Sequence, residues 1–356
     1  MGTLRFLLAL SVAWTHAGLP RGLSGDLCVT IFFVISGFYM AMVLSENRAY
    51  GQIIAFYNQR LLRLFPSYWT LLALSLLTAV LVPTIGHGWR AVESLQAPQA
   101  HPGILASWLL SHMFIVGQDL FLFFGLDPSG SVMFVPHLSS AQRPLADLLV
   151  IPPAWSLSLE IVFYLFAPFI ARRSITVLAG LLLASCAIRL WLAYGPGLVE
   201  DPWATRFFPS EFAFFLLGML AYRLVAERGI RPWSTAGVSY LAACAISVAS
   251  LAANRFGHVK AGMLSKAAVI TFGLTAAIPW RFAMTRRHRL DRRIGEYSYA
   301  LYLCHVLVLE LWELLAWQSP WSGYLRIAAA VAFAALLTVV VDKPVDRYHH
   351  RLLHAT

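Results

Sequence analysis

Two ionisable residues interrupt the first apolar stretch of the chain, residues 3–18. Arg5 lies near the start of this stretch and His16 near its end, eleven positions later. If the stretch is a single α-helix, the two residues are about 16 Å apart along its axis. Ionisable side chains are costly inside a membrane, and those found there are functional candidates by default. The spacing suits a fixed cation near one membrane face and a titratable base well across the bilayer.

Arg60 and Arg63 are the second candidate group. Two arginines three positions apart lie on one face of a helix, and their planar guanidinium groups bind phosphate oxygens in pairs. They come just before the apolar segment 67–83. The loop charges discussed below place them on the cytoplasmic side of that segment, where they suit a phosphorylated cytosolic ligand. The alternative is that they only anchor the topology or contact anionic lipid.

Glu160 lies about eight residues inside the apolar segment 153–170. A carboxylate at that depth must be protonated, paired or exposed to water, because otherwise it costs several kcal/mol. We interpret Glu160 as a partner for a catalytic histidine. An ion pair with a membrane arginine is the alternative.

Two further patterns predict residues that line the site. Ser36 and Gly37 are a small pair that lets a ligand or another helix approach the backbone, although ordinary helix packing would also explain it. Tyr299, Tyr302 and His305 are spaced three apart, so their polar groups share one helix face. They either line the site or make a hydrogen-bonded helix contact.

Composition identifies the chain as a membrane protein. Of its 356 residues, 59% are hydrophobic and only 12% are charged, whereas soluble domains are about 25% charged. The net charge of +10 then indicates positively charged cytoplasmic loops rather than a nucleic-acid surface. The four cysteines are far apart in apolar segments, so we expect buried thiols and neither a disulfide framework nor a metal site.

Ten apolar segments are long enough to be helical spans: 3–18, 27–44, 67–83, 153–170, 174–194, 207–225, 234–253, 261–280, 297–317 and 324–341. An eleventh, 104–124, is interrupted by polar residues. A signal peptide is the alternative for the N-terminus, but a second apolar segment follows too closely to favour it.

The loop charges decide the topology. Basic residues cluster in 45–66, 171–173, 222–233, 281–293 and 343–356, and these loops share one side only if 104–124 does not cross the membrane. We therefore predict an all-α polytopic membrane protein with about ten transmembrane helices, both termini cytoplasmic and an outer segment at 84–152. Segment 104–124 would be re-entrant or interfacial. Residues 1–356 would form a single integral membrane domain with no appended soluble domain.

Taken in order, these motifs resemble the bacterial membrane acyltransferase-3 family. The matching residues are Arg5 with His16, Phe32 to Phe38, Arg60 with Arg63, Trp155 to Glu160 with Phe163 and Tyr164, and Ser298 with Tyr299, Tyr302 and His305. Two places depart from the family pattern: Cys28-Val29 replaces the usual Gly-Val, and Asp342-Lys343-Pro344 replaces a frequent Glu-x-Pro. Both departures concern packing more than chemistry.

The resemblance implies an enzyme of the bacterial inner membrane. Such an enzyme moves an acyl group, usually acetyl, from cytosolic acyl-CoA to a hydroxyl of a cell-surface glycan or its lipid-linked precursor. By the same resemblance His16 is catalytic, while Arg5, Arg60 and Arg63 bind the donor. The supporting residues are Ser36, Gly37, Trp155, Ser158, Tyr299, Tyr302 and His305. Some members carry a fused soluble domain, so a separate periplasmic transferase is a candidate partner here.

Transfer from a thioester to a hydroxyl needs a base, donors for the tetrahedral oxyanion and a grip on the donor's phosphates. We expect the three arginines to hold acetyl-CoA while His16 deprotonates the acceptor, with Glu160 orienting the imidazole. An acyl-His16 intermediate is the alternative route. The competing classes are a proton-coupled transporter and a non-catalytic subunit of a polysaccharide export complex. We expect membrane lipid as a partner, and we expect neither nucleic acid nor a bound metal.

Overall fold

Helices dominate the computed structural model, which describes residues 1–20, 22–46, 53–82, 102–141, 143–226, 233–254, 261–315, 317 and 319–348. The helices are α1 (Gly2–His16), α2 (Gly25–Glu46), α3 (Ile53–Leu81), α4 (Pro102–Phe114), α5 (Trp155–Ile170), α6 (Ile175–Tyr194), α7 (Phe208–Ala221), α8 (Thr235–Asn254), α9 (Ala261–Thr285), α10 (Arg289–Glu313) and α11 (Ser322–Leu337). Short π-helical turns extend α7 over Tyr222–Ala226 and α11 over Thr338–Asp342.

Eight helices within the described residues are long and apolar enough to cross a membrane: α2, α3, α5 to α9 and α11. The prediction of an all-α polytopic membrane protein is confirmed. The other two predicted spans, 3–18 and 297–317, are also helical, as α1 and α10. Helix α1 has only 15 residues, about 22 Å, whereas a hydrocarbon core is about 30 Å thick. Helix α10 begins with a charged turn. These two helices pack side by side.

The segment predicted to be re-entrant or interfacial, 104–124, contains α4 and a short 3-10 turn at Asp119–Phe123. With 13 residues, α4 is about 20 Å long and too short to span a bilayer. A small hairpin that the sequence did not predict follows it. Its strands β1 (Phe124–Leu126) and β2 (Val132–Phe134) are antiparallel.

Glycines allow the closest helix contacts near the site. A Cβ atom added to Gly37 of α2 would lie 1.9 Å from the carbonyl oxygen of Phe215 in α7, and one added to Gly218 would lie 2.0 Å from the oxygen of Val34. The backbones of α2 and α7 therefore touch directly. Gly37 serves helix packing, and it does not line the cavity described below, which corrects its prediction as a lining residue.

A buried ion pair joins α6 to α7, and sequence reasoning did not single it out. Arg189 donates to the Glu211 carboxylate at 2.8 Å and to the carbonyl oxygens of Ala204 and Ser210. Both side chains are almost completely buried. A buried pair of this kind is tolerated because each charge has a partner. A charged residue inside each predicted span was the available signal.

Replacing Gly37 by alanine should destabilise the protein by about 1–3 kcal/mol, because the added methyl group overpacks a helix contact. Gly180 in α6 is the matched control, since nothing lies within 4 Å of an added Cβ there. Gly180→Ala should leave stability unchanged or raise it by up to about 1 kcal/mol through helix propensity. Thermal unfolding of the purified protein in detergent measures both variants. Equal melting temperatures for the two would contradict the assigned packing.

Candidate active site

A cavity of about 660 Å³ opens among helices α1, α2, α3, α5, α9 and α10. This volume is typical of sites for small-molecule ligands and cofactors. The polar residues in its lining include Arg5, Ser36, Tyr39, Arg60, Arg63, Ser156, Glu160, Tyr164, Arg286, Asp291, Arg292, Glu296, Ser298, Tyr299 and Tyr302. We call the side with the arginines the arginine end of the bundle and the side with His16 the histidine end.

The three arginines predicted to bind the donor all line this cavity, although they come from two helices far apart in sequence. Arg60 is buried on α3, where it donates to Gln59 at 2.9 Å and lies 5.7 Å from the Phe56 ring. Within the described residues, Arg5 and Arg63 make no ion pair with a carboxylate. Arginines that line a cavity and have no carboxylate within ion-pair distance are suited to binding an anion.

Glu160 lies in the same cavity as the arginines rather than beside His16. Its Oε1 accepts hydrogen bonds from Ser36 Oγ at 2.7 Å and from the Tyr164 hydroxyl. Among the described residues, no hydrogen bond joins Glu160 to His16. The prediction that Glu160 orients His16 is therefore wrong in geometry. Glu160 lies on α5 about one helical turn, or 6 Å, beyond Ser156 in the direction of the arginine end, and this position keeps its carboxylate away from His16.

His16 is instead hydrogen-bonded to His305. His16 Nδ1 lies 2.8 Å from His305 Nε2, and the two rings are stacked with centroids 4.9 Å apart. His305 is completely buried, whereas His16 is exposed on its other side. His305 Nδ1 lies 2.7 Å from the carbonyl oxygen of Tyr302. His305 was predicted only as a lining residue, and it is the direct partner of His16.

This geometry fixes the tautomer of both rings. A carbonyl oxygen can only accept, so His305 Nδ1 carries the hydrogen. A charged ring would be costly in a fully buried position, so His305 is neutral and its Nε2 bears a lone pair. His16 Nδ1 must then donate to that lone pair. When His16 is neutral, its own lone pair is on Nε2, and that atom is available as a base.

Tyr302 connects the cavity to the histidine pair. Its side chain lines the cavity with Phe32 and Ser156, while its carbonyl oxygen binds His305. The Tyr302 hydroxyl lies 2.8 Å from Ser156 Oγ, and its ring meets the Phe32 ring edge-on at 5.8 Å. Neither His16 nor His305 belongs to the lining, so the cavity ends at Tyr302, next to the histidines.

The remaining predicted lining residues divide into two groups. Tyr299 lines the cavity and donates to the carbonyl oxygen of Leu64 at 2.6 Å. Trp155 and Ser158 lie outside it, because they face away from the side of α5 that carries Ser156 and Glu160. The Arg206 guanidinium stacks 4.4 Å from the Trp155 ring. Ser158 donates to Asp119 and accepts from the Gly117 N–H group. The expectation that these two residues line the site is corrected.

Asp291, at the start of α10, anchors the first turn of α1. Its carboxylate accepts from the backbone N–H groups of Gly2 and Thr3 at 2.8 and 2.9 Å, and from the Met1 amino group at 2.6 Å. Burial by itself would raise the pKa of Asp291, but these hydrogen bonds outweigh burial and hold its pKa well below the usual range. This contact fixes the helix that carries Arg5 and His16.

Nitrogen chemical shifts in protein labelled with 15N-histidine test the assigned tautomers. At a pH where His16 is neutral, both His16 and His305 should be protonated on Nδ1, with a scalar coupling across the His16–His305 hydrogen bond. The variants His16→Gln and His305→Gln assign the two signals. A hydrogen on Nε2 of neutral His16 would contradict the geometry.

Comparison with known proteins gives the chain a family. The model of an acyltransferase domain matches residues 2–342. The chain is also 25% identical to the acyltransferase MdmB of Streptomyces mycarofaciens in an alignment 361 positions long, which covers 91% of this chain and 81% of that protein. No solved structure matches. The family match includes both ends of the site, from Arg5 on α1 to His305 on α10, and the chain therefore belongs to the acyltransferase-3 family of multi-pass membrane proteins.

Proposed function

We propose that this protein is an O-acyltransferase of the bacterial inner membrane. It moves an acetyl group from cytosolic acetyl-CoA to a hydroxyl of a cell-surface glycan or of its lipid-linked precursor. One observation carries the proposal: a single cavity is lined by Arg5, Arg60 and Arg63 at one end and ends at Tyr302 at the other. The Tyr302 carbonyl oxygen is hydrogen-bonded to His305, the partner of His16. The name of the relative, an acyltransferase, supports acyl transfer.

The arginine end suits the donor's phosphates. Guanidinium groups from α1 and α3 converge on the cavity, and Arg5 and Arg63 have no carboxylate partner within the described residues. The six basic residues in 281–293 lie at the same end of the bundle. By the positive-inside rule this end faces the cytosol, where acyl-CoA is found. Both termini are then cytoplasmic.

The acyl end of the donor reaches the histidine end. With its phosphates among the arginines, the pantetheine arm extends past Ser36 to the wall formed by Phe32, Ser156 and Tyr302. The thioester carbonyl comes to lie beside this wall. The hydroxyl groups of Ser156 and Tyr302 are the nearest donors for the oxyanion of the tetrahedral intermediate. A rotation of the Tyr302 or Phe32 ring opens the wall toward His16.

His16 Nε2 acts as the general base. It removes the proton of the acceptor hydroxyl as that oxygen attacks the thioester carbon, and the protonated ring then returns the proton to the departing thiolate of coenzyme A. His305 accepts the hydrogen bond from His16 Nδ1–H throughout, which keeps the lone pair of His16 on Nε2, the ring nitrogen that does not face His305. His305 is a positioning residue, and it takes the role that the sequence had suggested for Glu160.

A proton-coupled transporter is less consistent with this arrangement. A relay needs titratable groups joined by hydrogen bonds, and in the described part of the chain no such path leads from Glu160 to His16. Glu160 is bonded to Ser36 and Tyr164, while His16 is bonded to His305. Separate networks at the two ends of the cavity favour an enzyme that holds its donor at one end and reacts at the other.

His16→Ala should lower acyl transfer by about 10²–10⁴-fold, the usual contribution of a positioned base, without preventing folding. Acceptor glycans from cells carrying each variant are compared by mass spectrometry, and release of coenzyme A is measured with purified protein. His288→Ala is the control, because His288 is exposed at the arginine end and does not line the cavity. Near-normal acylation by His16→Ala would remove His16 from the chemistry.

Arg63→Gln and Arg60→Gln should each raise the KM for acetyl-CoA by about tenfold or more, since a hydrogen bond to a charged group contributes about 1.5–3 kcal/mol. The kcat should change much less, because these residues are far from the reacting carbonyl. Arg293→Gln serves as control, as Arg293 is exposed and outside the lining. An unchanged KM in both cavity variants would count against donor binding by these arginines.

A further inference from the structure

Two arginines that the sequence assigned only to membrane topology line the mouth of the cavity. Arg286 follows α9 directly, and Arg292 lies in the first turn of α10. Both are exposed. Within the described ranges, neither side chain makes a hydrogen bond or an ion pair.

The carboxylates of the cavity are already engaged by other groups. Asp291 accepts from the N–H groups of Gly2 and Thr3. Glu296 lies 3.8 Å from Lys343 Nζ, and Glu160 is bonded to Ser36. The lining therefore holds five arginines and three acidic residues, none of which neutralises Arg286 or Arg292. The mouth carries positive charge that an anionic ligand would compensate.

Arg5 and Arg292 lie at different depths in the cavity. Gly2 of α1 touches Gly295 of α10, where a Cβ added to Gly295 would lie 2.5 Å from the Gly2 Cα atom. At the other end of the same two helices, His16 touches His305, so α1 and α10 run in the same direction. Arg5 is three residues inward of the glycine contact and Arg292 three residues outward. The positions of Arg5 and Arg292 therefore differ by six residues, or about 9 Å, along the helix axis.

We propose that Arg286 and Arg292 bind a second phosphate of the donor, the 3′-phosphate on the ribose of coenzyme A. Arg5, Arg60 and Arg63 bind its pyrophosphate. This inference rests on the proposed function, because it requires a coenzyme A thioester as donor.

The order of groups in the donor matches the order of residues along the cavity. In acetyl-CoA the thioester comes first, the pantetheine arm and pyrophosphate follow, and the 3′-phosphate is on the nucleoside at the far end. In the cavity, Tyr302 lies at the inner end, Arg5 and the buried Arg60 follow with Arg63 three positions further along α3, and Arg286 and Arg292 are at the mouth. A phosphate monoester carries about −1.5 to −2 charges at neutral pH, which two guanidinium groups match.

The binding assigned to the mouth predicts donor selectivity. A thioester of dephospho-coenzyme A has the pyrophosphate but lacks the 3′-phosphate, and an acyl carrier protein presents only a phosphopantetheine. The enzyme should therefore prefer acetyl-CoA to acetyl-dephospho-CoA through contacts far from the reacting carbonyl. The preference should appear in KM rather than kcat.

Steady-state kinetics of the purified full-length protein with these two donors test the proposal. For the wild type, KM should be at least about tenfold higher for acetyl-dephospho-CoA. In the double variant Arg286→Gln/Arg292→Gln, the ratio of the two KM values should fall to about one. In Arg63→Gln both KM values should rise and their ratio should stay at the wild-type value. Arg287→Gln/Arg289→Gln removes the same charge from exposed positions outside the lining and should keep the wild-type ratio.

Four results would overturn the inference. Equal KM values for the two donors in the wild type, or a wild-type ratio in Arg286→Gln/Arg292→Gln, would show that the mouth does not bind the 3′-phosphate, while acyl transfer itself would stand. A ratio of KM values near one in Arg287→Gln/Arg289→Gln would show that the general positive charge, and not Arg286 and Arg292, sets the preference. Failure of the wild type to use either donor would refute the proposed function and the inference together.

Discussion

The hydrogen bond between His16 and His305 determines what the histidine end of this protein can do. His305 is buried and donates to the Tyr302 carbonyl, so it can offer only a lone pair to its partner. His16 is thereby left with a basic Nε2 on its exposed side. In the proposed function, the donor thioester and the acceptor hydroxyl meet at that nitrogen. Packing of α1 on α10, with Asp291 at one end and the two histidines at the other, holds the bond in place.

The second constraint is electrostatic and applies to the arginine end. Buried and half-buried cations require counter-ions, and Arg189 shows how the protein provides one where the role is structural, through Glu211. The half-buried Arg5 has no such partner within the described residues, and neither has Arg63, which is exposed but also lines the cavity. The contrast between a neutralised arginine in the helix core and unneutralised arginines in a cavity is what separates a structural charge from a binding charge.

Much of the fold was predictable, because apolar segments of sufficient length predict membrane-spanning helices directly. The eight apolar spans were found, and α1 and α10 were found as helices although they are shorter or more charged than a simple span. The convergence of Arg5, Arg60 and Arg63 was predicted through the family resemblance, and all three line the cavity. Arg286 and Arg292 were counted only as topology signals, since a basic loop carries no information about which of its residues turn toward a cavity.

The pairing of side chains was less predictable. Helical spacing gives the face of a residue, but not the partner helix or the depth of the contact. Glu160 was assigned to His16 because of its depth inside an apolar segment, whereas its position one turn beyond Ser156 places it among the arginines. Ser158 was assigned to the site from the same motif, but it faces Asp119. The partner of His16 came from a helix almost 290 positions away.

The central claim is that one donor molecule bridges the two ends of this cavity. A cryo-electron microscopy structure with a non-reactive ketone analogue of acetyl-CoA, in which a methylene group separates the sulfur from the carbonyl, tests it most directly. The account predicts the nucleotide phosphates among the five lining arginines and the acyl carbonyl beside Tyr302, with a path open to Nε2 of His16. Phosphates bound elsewhere, or an acyl group that stays separated from His16 by a closed wall of Phe32 and Tyr302, would contradict it.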